Sequence, residues 1–307
     1  MQPGAFNCVE GETMSNIDTR CGLHCAACEY KESHNCGGCI ETNGEPFHGK
    51  CPVAACCQDK GLLHCGECDV IPCAALYAYS YLDREHGDKP QGARVQVCRN
   101  WAAERGKHVW ENVLLTSAGF EDMDGNQKTA IVDRFLKMLG KPPADASVLF
   151  IPTAAIDDEA KAMVPYCKQE LINLGIAESN IRTYDIDGLM TKAEAMKYDV
   201  IYFTGGNTVF LLRRIMESGL DAIIKSMVYA NKVYVGVSAG SVIAKPNIGE
   251  PDEVYNKETA GLCLINAYVG VHYPEGSPPR TDFPLPHIPL TDNQAIAVRW
   301  DGYEVIE

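Results

Sequence analysis

The pentapeptide Gly236-Val237-Ser238-Ala239-Gly240 is built for nucleophilic chemistry. It closes an apolar run at 233–237 and precedes Ser241-Val242-Ile243-Ala244, which suits a helix. A strand that passes into a helix through so short a turn lifts the serine hydroxyl above the sheet edge. Small residues are needed on both sides, because a Cβ would clash inside the turn. The N–H groups that open the helix would then favour a developing oxyanion. A serine at its free pKa is a poor nucleophile and needs a base. Beyond the linker at 106–108 only His272 and His287 are available. His272 ends a strand-like stretch at 268–271 and should reach the same sheet edge as Ser238. His287 stands in the Pro-rich segment 282–289, which reads as a surface loop. His272 is therefore the expected base. The base needs an orienting acid, and Asp252, Glu253, Asp282 and Asp292 are candidates that the pattern alone does not rank. Gly205-Gly206-Asn207 ends another apolar run, and its glycines would let backbone N–H groups approach a substrate. Asn207 there would equally cap a plain strand-to-helix turn.

The elements that must position these residues follow from alternating apolar and amphipathic stretches. Strands are expected at 113–116, 147–151, 181–185, 199–203 and 233–237, separated by helices at 126–139, 157–174, 192–196 and 209–218. This alternation predicts an α/β fold with a mostly parallel sheet and helices on both faces. After residue 248 the pattern loosens, with strands expected at 268–271, 294–299 and 303–306. A chain of 307 residues suggests two domains. The boundary shows in the cysteines, since 13 of the 15 lie between Cys8 and Cys98. A Cys-rich module is expected at 19–105, with helices at 73–82 and about 91–105, and a serine hydrolase domain of α/β class at 112–307. Residues 1–18 read as polar and flexible.

Phe203-Thr204-Gly205-Gly206-Asn207-Thr208, then Val235-Gly236-Val237-Ser238-Ala239-Gly240, then Val271-His272-Tyr273, in that order and spacing, resemble the peptidase E family over about residues 112–307. That family holds aspartyl dipeptidases and cyanophycinases on a fold similar to class I glutamine amidotransferases. Phe150-Ile151-Pro152-Thr153-Ala154, Pro246-Asn247 and the stretch 262–266 add to the likeness. The order Ser, His, acid differs from α/β-hydrolases, where His comes last. A Cys at position 238 would suggest an amidotransferase, whereas Ser argues for hydrolysis. The resemblance implies Ser238 as nucleophile, His272 as base, and Gly206 and Ala239 as oxyanion donors. It implies Asp292 as the third member, where some members carry Glu; an older family assignment would select Asp252 or Glu253. It also implies a small peptide substrate, with Asn207 and Arg280 as candidate contacts. One departure is clear. The dipeptidases carry a long loop and helix between the His and the late acid, with an Arg that helps bind the substrate carboxylate. Here 273–291 is short and Pro-rich, and Arg280 is its one arginine. A weak preference for N-terminal Asp is therefore expected.

The cysteines offer a second chemistry. Cys36-Gly-Gly-Cys39 and Cys65-Gly-Glu-Cys68 are two C-x2-C turns, and Cys21, Cys25 and Cys28 form C-x3-C-x2-C. Paired thiols at tight turns suit tetrahedral zinc. Cys-only ligation also suits an iron–sulfur cluster. C-x3-C-x2-C is similar to the radical-SAM motif, but no barrel-sized sequence accompanies it. A small module that buries little apolar surface needs a staple, and a reducing compartment disfavours disulfides. The expectation is structural zinc on Cys36, Cys39, Cys65 and Cys68, and a second site on Cys21, Cys25 and Cys28 with Cys73 or Cys51. Metal would then stabilise this module alone. The module resembles a bacterial and archaeal cysteine-rich family of unknown function over about residues 18–105, which supplies no activity.

Composition narrows the partners. A net charge of -14 repels nucleic acid and anionic membranes. No apolar run is long enough for a bilayer-spanning helix, and the first residues lack the basic and apolar regions of a signal peptide. A cytoplasmic serine peptidase is the expected function, with no cofactor for the hydrolase domain. Two other readings stand beside it: a metal- or redox-sensing protein whose hydrolase-like domain only binds a ligand, and an amidohydrolase or esterase with a non-peptide substrate. Oligomeric state is not legible.

Overall fold

The computed structural model describes residues 17–307. The reading of the extreme N-terminus as flexible and leader-free falls, up to Asn16, outside these residues. The apolar runs become nine strands: β1 Val113–Thr116, β2 Val148–Ile151, β3 Ile181–Thr183, β4 Val200–Phe203, β5 Val233–Val237, β6 Tyr268–Gly270, β7 His287–Pro289, β8 Ala295–Arg299 and β9 Gly302–Ile306. Seven form one sheet in the order β3-β2-β4-β5-β1-β8-β9. The five strands from β3 to β1 are parallel, and β8 and β9 add an antiparallel edge. β6 and β7 make a separate parallel pair.

Both faces of the inner strands β1, β2, β4 and β5 are covered, which is why these run buried along their whole length rather than alternating. Leu114, Val148, Phe150, Val200, Tyr202 and Val235 bury against the helices Thr129–Leu139 and Asp158–Asn173. The neighbouring residues Val113, Leu115, Leu149, Ile201, Phe203 and Tyr234 face the other way. There they meet the helices Thr208–Ser218 and Leu220–Tyr229, the second of which the sequence pattern did not reveal. The 282–289 segment is also not the surface loop expected. It carries β7, pairs with β6, and buries His287 to 7 % exposure. Phe283 stacks against Tyr268 at 4.3 Å, so an aromatic residue within a Pro-rich stretch anchors it to the body.

The Cys-rich module is a set of short helices, Tyr30–Ser33, Gly38–Glu41, Pro52–Asp59, Ala74–Tyr77 and the longer Ala93–Glu104, joined by turns. Its Val53, Leu76, Tyr77, Val95 and Trp101 belong to the same apolar cluster as β1, β2 and β4. Polar contacts cross as well. Tyr77 donates to the Pro246 carbonyl at 2.9 Å, Arg99 to that of Cys263 at 2.8 Å, and Lys225 to that of Pro72 at 2.9 Å. Each satisfies a group that burial would otherwise leave costly. The module therefore shares its core with the α/β body.

One carboxyl is held in the opposite core. Glu170 accepts from the Glu121 N–H at 3.0 Å and packs under the loop that follows β1. Burial pushes its pKa up from 4.5 to about 7. The folded state thus prefers protonated Glu170: this stability is full below about pH 4.5 and is lost as pH rises through about 7. Glu170→Gln keeps the acceptor and removes the charge. It should raise unfolding free energy at pH 8 by on the order of 1–3 kcal/mol and leave it unchanged near the ordinary carboxyl pKa. Urea denaturation at both ends of this range checks it, and an equal effect at both would refute the assignment.

Candidate active site

Three adjacent parallel strands end at the site, the usual place for chemistry on such a sheet. β5 runs into Ser238, β4 into Gly205-Gly206-Asn207, and β1 into Ser117. Ser238 adopts φ 49° and ψ -106°, a strained conformation for a residue with a side chain. Both flanking glycines are required by space. A Cβ on Gly236 would lie 2.4 Å from the Gly240 carbonyl oxygen, and one on Gly240 would lie 2.7 Å from Phe203 Cβ. Buried Ser241 pins the turn by donating at 2.8 Å to the carbonyls of Thr116 and Gly236. Tyr234 donates to the Gly240 carbonyl at 2.6 Å. The helix after Ser238 is only one turn, Ala239–Val242, shorter than expected.

His272 follows β6 and also has a positive φ, 59°. Its Nε2 lies 2.8 Å from Ser238 Oγ and its Nδ1 lies 2.6 Å from Asp292 Oδ1. With Nδ1 protonated it donates to Asp292, and Nε2 accepts from the serine hydroxyl. Of the four candidate acids, Asp292 is the one hydrogen-bonded to His272. Asp282 is paired with Arg280 instead. Partial burial works against the Asp292 charge, but the hydrogen bonds from His272 and Ser117 outweigh it and hold the carboxyl below its usual range. Asp292 therefore stays ionised at neutral pH, where it can hold one imidazole tautomer.

Ser117 escaped the sequence reading. It donates to Asp292 Oδ1 at 2.9 Å and accepts from the His272 backbone N–H at 2.8 Å. One hydroxyl thus fixes both the acid and the base. The available signal was a small polar residue directly after the buried strand β1.

Gly206 has φ 130°, and a Cβ there would lie 2.2 Å from the Ala154 carbonyl oxygen. Only glycine fits. Gly205 packs toward Ser238 Cβ, so the loop sits directly beside the hydroxyl. The Ala239 N–H opens its helical turn and has no partner within it. Asn207 caps the helix Thr208–Ser218 by accepting from Phe210 N–H at 2.8 Å. Arg280 is already engaged: it binds Glu250 at 2.9 Å and Asp282 at 2.8 Å and lies over Phe283. Buried His287 accepts from the Arg280 N–H at 3.1 Å and does not reach Ser238. A cleft of about 870 Å³ adjoins the site, lined in part by Pro152, Ala155, Ile156, Lys161 and Arg213. The triad does not line it. The Gly205–Asn207 loop stands between them, with Gly206 packed on Ala154 and Ala155.

The cysteines group differently from the expected pairing. Cys56, Cys57, Cys65, Cys68 and Cys73 line one cavity, and Cys36 and Cys39 do not. Cys36 and Cys39 flank Gly38, against which Cys25 Sγ packs, and Cys21 and Cys51 neighbour Cys39. Cys65 and Cys68 thus lie at a cavity that Cys36 and Cys39 do not line, while the Arg20 backbone bonds both Cys39 Sγ and the Cys65 N–H. Cys73 likewise lies with the second cluster rather than with Cys21.

The acid contacts generate a ranking. Asp292→Asn should slow fluorophosphonate labelling of Ser238 by roughly 10³–10⁴-fold, because it favours the wrong tautomer. Ser117→Ala should slow it by about tenfold, through the loss of one hydrogen bond on a charged group. Asp252→Asn, an exposed change, should stay within about twofold. A large effect at Asp252 alone would reverse the assignment of the acid.

With this geometry in view, the relatives are informative. An uncharacterized peptidase of Listeria monocytogenes is 42% identical over 33% of this chain and 50% of its own length. An uncharacterized peptidase of Pasteurella multocida is 30% identical over 55% of this chain and 88% of its own. Peptidase E of Escherichia coli is 27% identical over 40% of this chain and 52% of its own. The chain spans about half the length of the Listeria relative. Residues 17–78 match DUF3795, a protein family of unknown function. Residues 113–305, well over half of the chain and the whole span from β1 into β9, match Peptidase family S51, and the chain belongs to that family.

Proposed function

We propose that this protein is a serine peptidase of the peptidase E type that hydrolyses small peptides. The observation that carries this reading is the unbroken hydrogen-bond chain from Ser238 through His272 to Asp292. Ser238 Oγ bonds to the scissile carbonyl carbon as its proton passes to His272 Nε2. The carbonyl oxygen becomes an oxyanion held by the Gly206 and Ala239 N–H groups. The C–N bond then breaks, and His272 returns the proton to the departing amine. Water, deprotonated by His272, cleaves the resulting ester and restores the serine. Asp292 keeps the imidazole oriented and Ser117 keeps Asp292 in place.

The adjoining cleft lies within the range of small-ligand sites, about 300–1,000 Å³, which supports a short peptide over a folded protein. Lys161 and Arg213 on its wall, beside Asp185 and Glu217, offer the cations that a substrate carboxylate would need. Arg280 is less suited, being paired with two carboxylates. A reducing, cytoplasmic setting agrees with the free state of every described cysteine, and no helix among the described residues is long and apolar enough to cross a membrane.

Ser238→Ala should abolish hydrolysis of a dipeptide and tripeptide library, by about 10⁴-fold or more if the three residues act as a unit. Its fold should persist, checked by circular dichroism. Turnover like that of the unaltered protein would end the serine-peptidase reading. An esterase substrate cleaved with every peptide untouched would move it to a non-peptide hydrolase. Arg213→Ala should raise KM by roughly tenfold with kcat nearly unchanged, as expected for a lost charge-assisted contact. Arg280→Ala should leave KM within about twofold, and the reverse pattern would place the carboxylate near Arg280.

A further inference from the structure

Five thiols from three elements meet around one small cavity. The helix Pro52–Asp59 supplies Cys56 and Cys57, the turn after His64 supplies Cys65 and Cys68, and Cys73 caps the helix Ala74–Tyr77. The open space between them is about 10 Å³, close to what a single water-sized sphere occupies. Cys57 Sγ lies 3.6 Å from Cys65 Sγ. An S–S bond is about 2.05 Å, so this is no disulfide. It is close to the edge of about 3.8 Å in a tetrahedron of sulfurs about 2.3 Å from a central ion. Lys60 Nζ lies 3.5 Å from Cys68 Sγ and brings a positive charge to the thiols. Among the described residues no three ligating side chains already converge on one point. Rotation about the single Cα–Cβ bond of a cysteine moves its sulfur by about 3 Å between staggered positions, and Cys68 and Cys73 line the same cavity as the close pair.

We propose that Cys57, Cys65, Cys68 and Cys73 hold one thiophilic divalent cation of the zinc class in a closed four-sulfur site, with Lys60 against it. Soft thiolates select such an ion over magnesium or calcium. Four protein ligands leave no open position, so the site is structural rather than catalytic. The open space between the thiols is of the size that one ion fills. A dication with four thiolates carries two excess negative charges, and the Lys60 ammonium offsets part of them. The site ties together three short segments that bury little apolar surface on their own. It also reaches the hydrolase body, because Cys73 opens the helix whose Tyr77 bonds the Pro246 carbonyl behind the Ser238 turn. The proposal does not depend on the hydrolytic reading, so either can fail without the other.

The test uses the full chain, purified under anaerobic reducing conditions, loaded with zinc or cobalt and then desalted. Elemental analysis should give tightly bound metal, and X-ray absorption should show sulfur neighbours at about 2.3 Å. Metal content should drop by one ion per chain in Cys68→Ser and in Cys73→Ser and stay unchanged in Cys167→Ser, on the distant helix Asp158–Asn173. Should a cysteine variant fail to fold, Lys60→Ala keeps the test sharp: chelator competition should show about tenfold weaker binding, as for loss of a neighbour that supports the ligands. The proposal is overturned if the reduced protein takes up no zinc or cobalt, if a folded Cys68→Ser retains the full metal content, or if the metal found is an iron–sulfur cluster. A Cys57–Cys65 disulfide in protein never exposed to oxidant would overturn it as well.

Discussion

The backbone at Ser238 is held in a conformation that an L-residue resists, and the functional end of the molecule depends on what keeps it there. Such strain costs on the order of 1–3 kcal/mol and persists only where surroundings over-determine it. Here the surroundings are specific. Gly236 and Gly240 let the two limbs of the turn touch, and Ser241 and Tyr234 tie the turn to the adjacent backbone. Because Ser241 binds the Thr116 carbonyl, the turn is referenced to β1. The next residue, Ser117, holds both the acid and the base. The position of the hydroxyl and the position of its partners are thus set from one strand end.

His272 is the second residue held at positive φ. It follows the short pair β6 and β7, which lies outside the main sheet, so its placement needs separate support. The Ser117 hydroxyl supplies some through the His272 N–H. Stacking of Phe283 on Tyr268 supplies more by closing the Pro-rich segment onto β6. In the proposed mechanism precise placement matters, because proton transfer between Ser238 and His272 requires hydrogen-bond distance, and two strained residues facing each other give little slack.

The Cys-rich module completes one face of the α/β body. Tyr77 and Arg99 bond to carbonyls of the segment that follows the Ser238 turn. A boundary in composition is therefore not a boundary in the core. Cysteine-rich sequence and hydrolase sequence differ because one is shaped by thiol chemistry and the other by sheet packing, yet both contribute apolar side chains to a single cluster.

The sequence by itself determined the α/β architecture, the Ser238 turn and the His272 position. These rest on local signals: apolar strands buried on both faces, glycines where a Cβ cannot fit, and a histidine at a strand end. It also brought Asp292 forward, but only through likeness to a family, since four acids stood equal by pattern. Only the tertiary structure shows which of them bonds to His272, because the distance from Asp292 to His272 depends on how β8 pairs with β1 across the chain. The same holds for Ser117, whose hydroxyl gains meaning only when three distant segments converge on it. It holds for His287, whose Pro-rich setting reads as exposed until Phe283 stacks it inward. The cysteines make the point most sharply. Spacing paired Cys36 and Cys39 with Cys65 and Cys68, but spacing measures distance along the chain. The intervening helix Pro52–Asp59 carries the second pair to a different cavity, and which thiols become neighbours is settled by packing across the whole module.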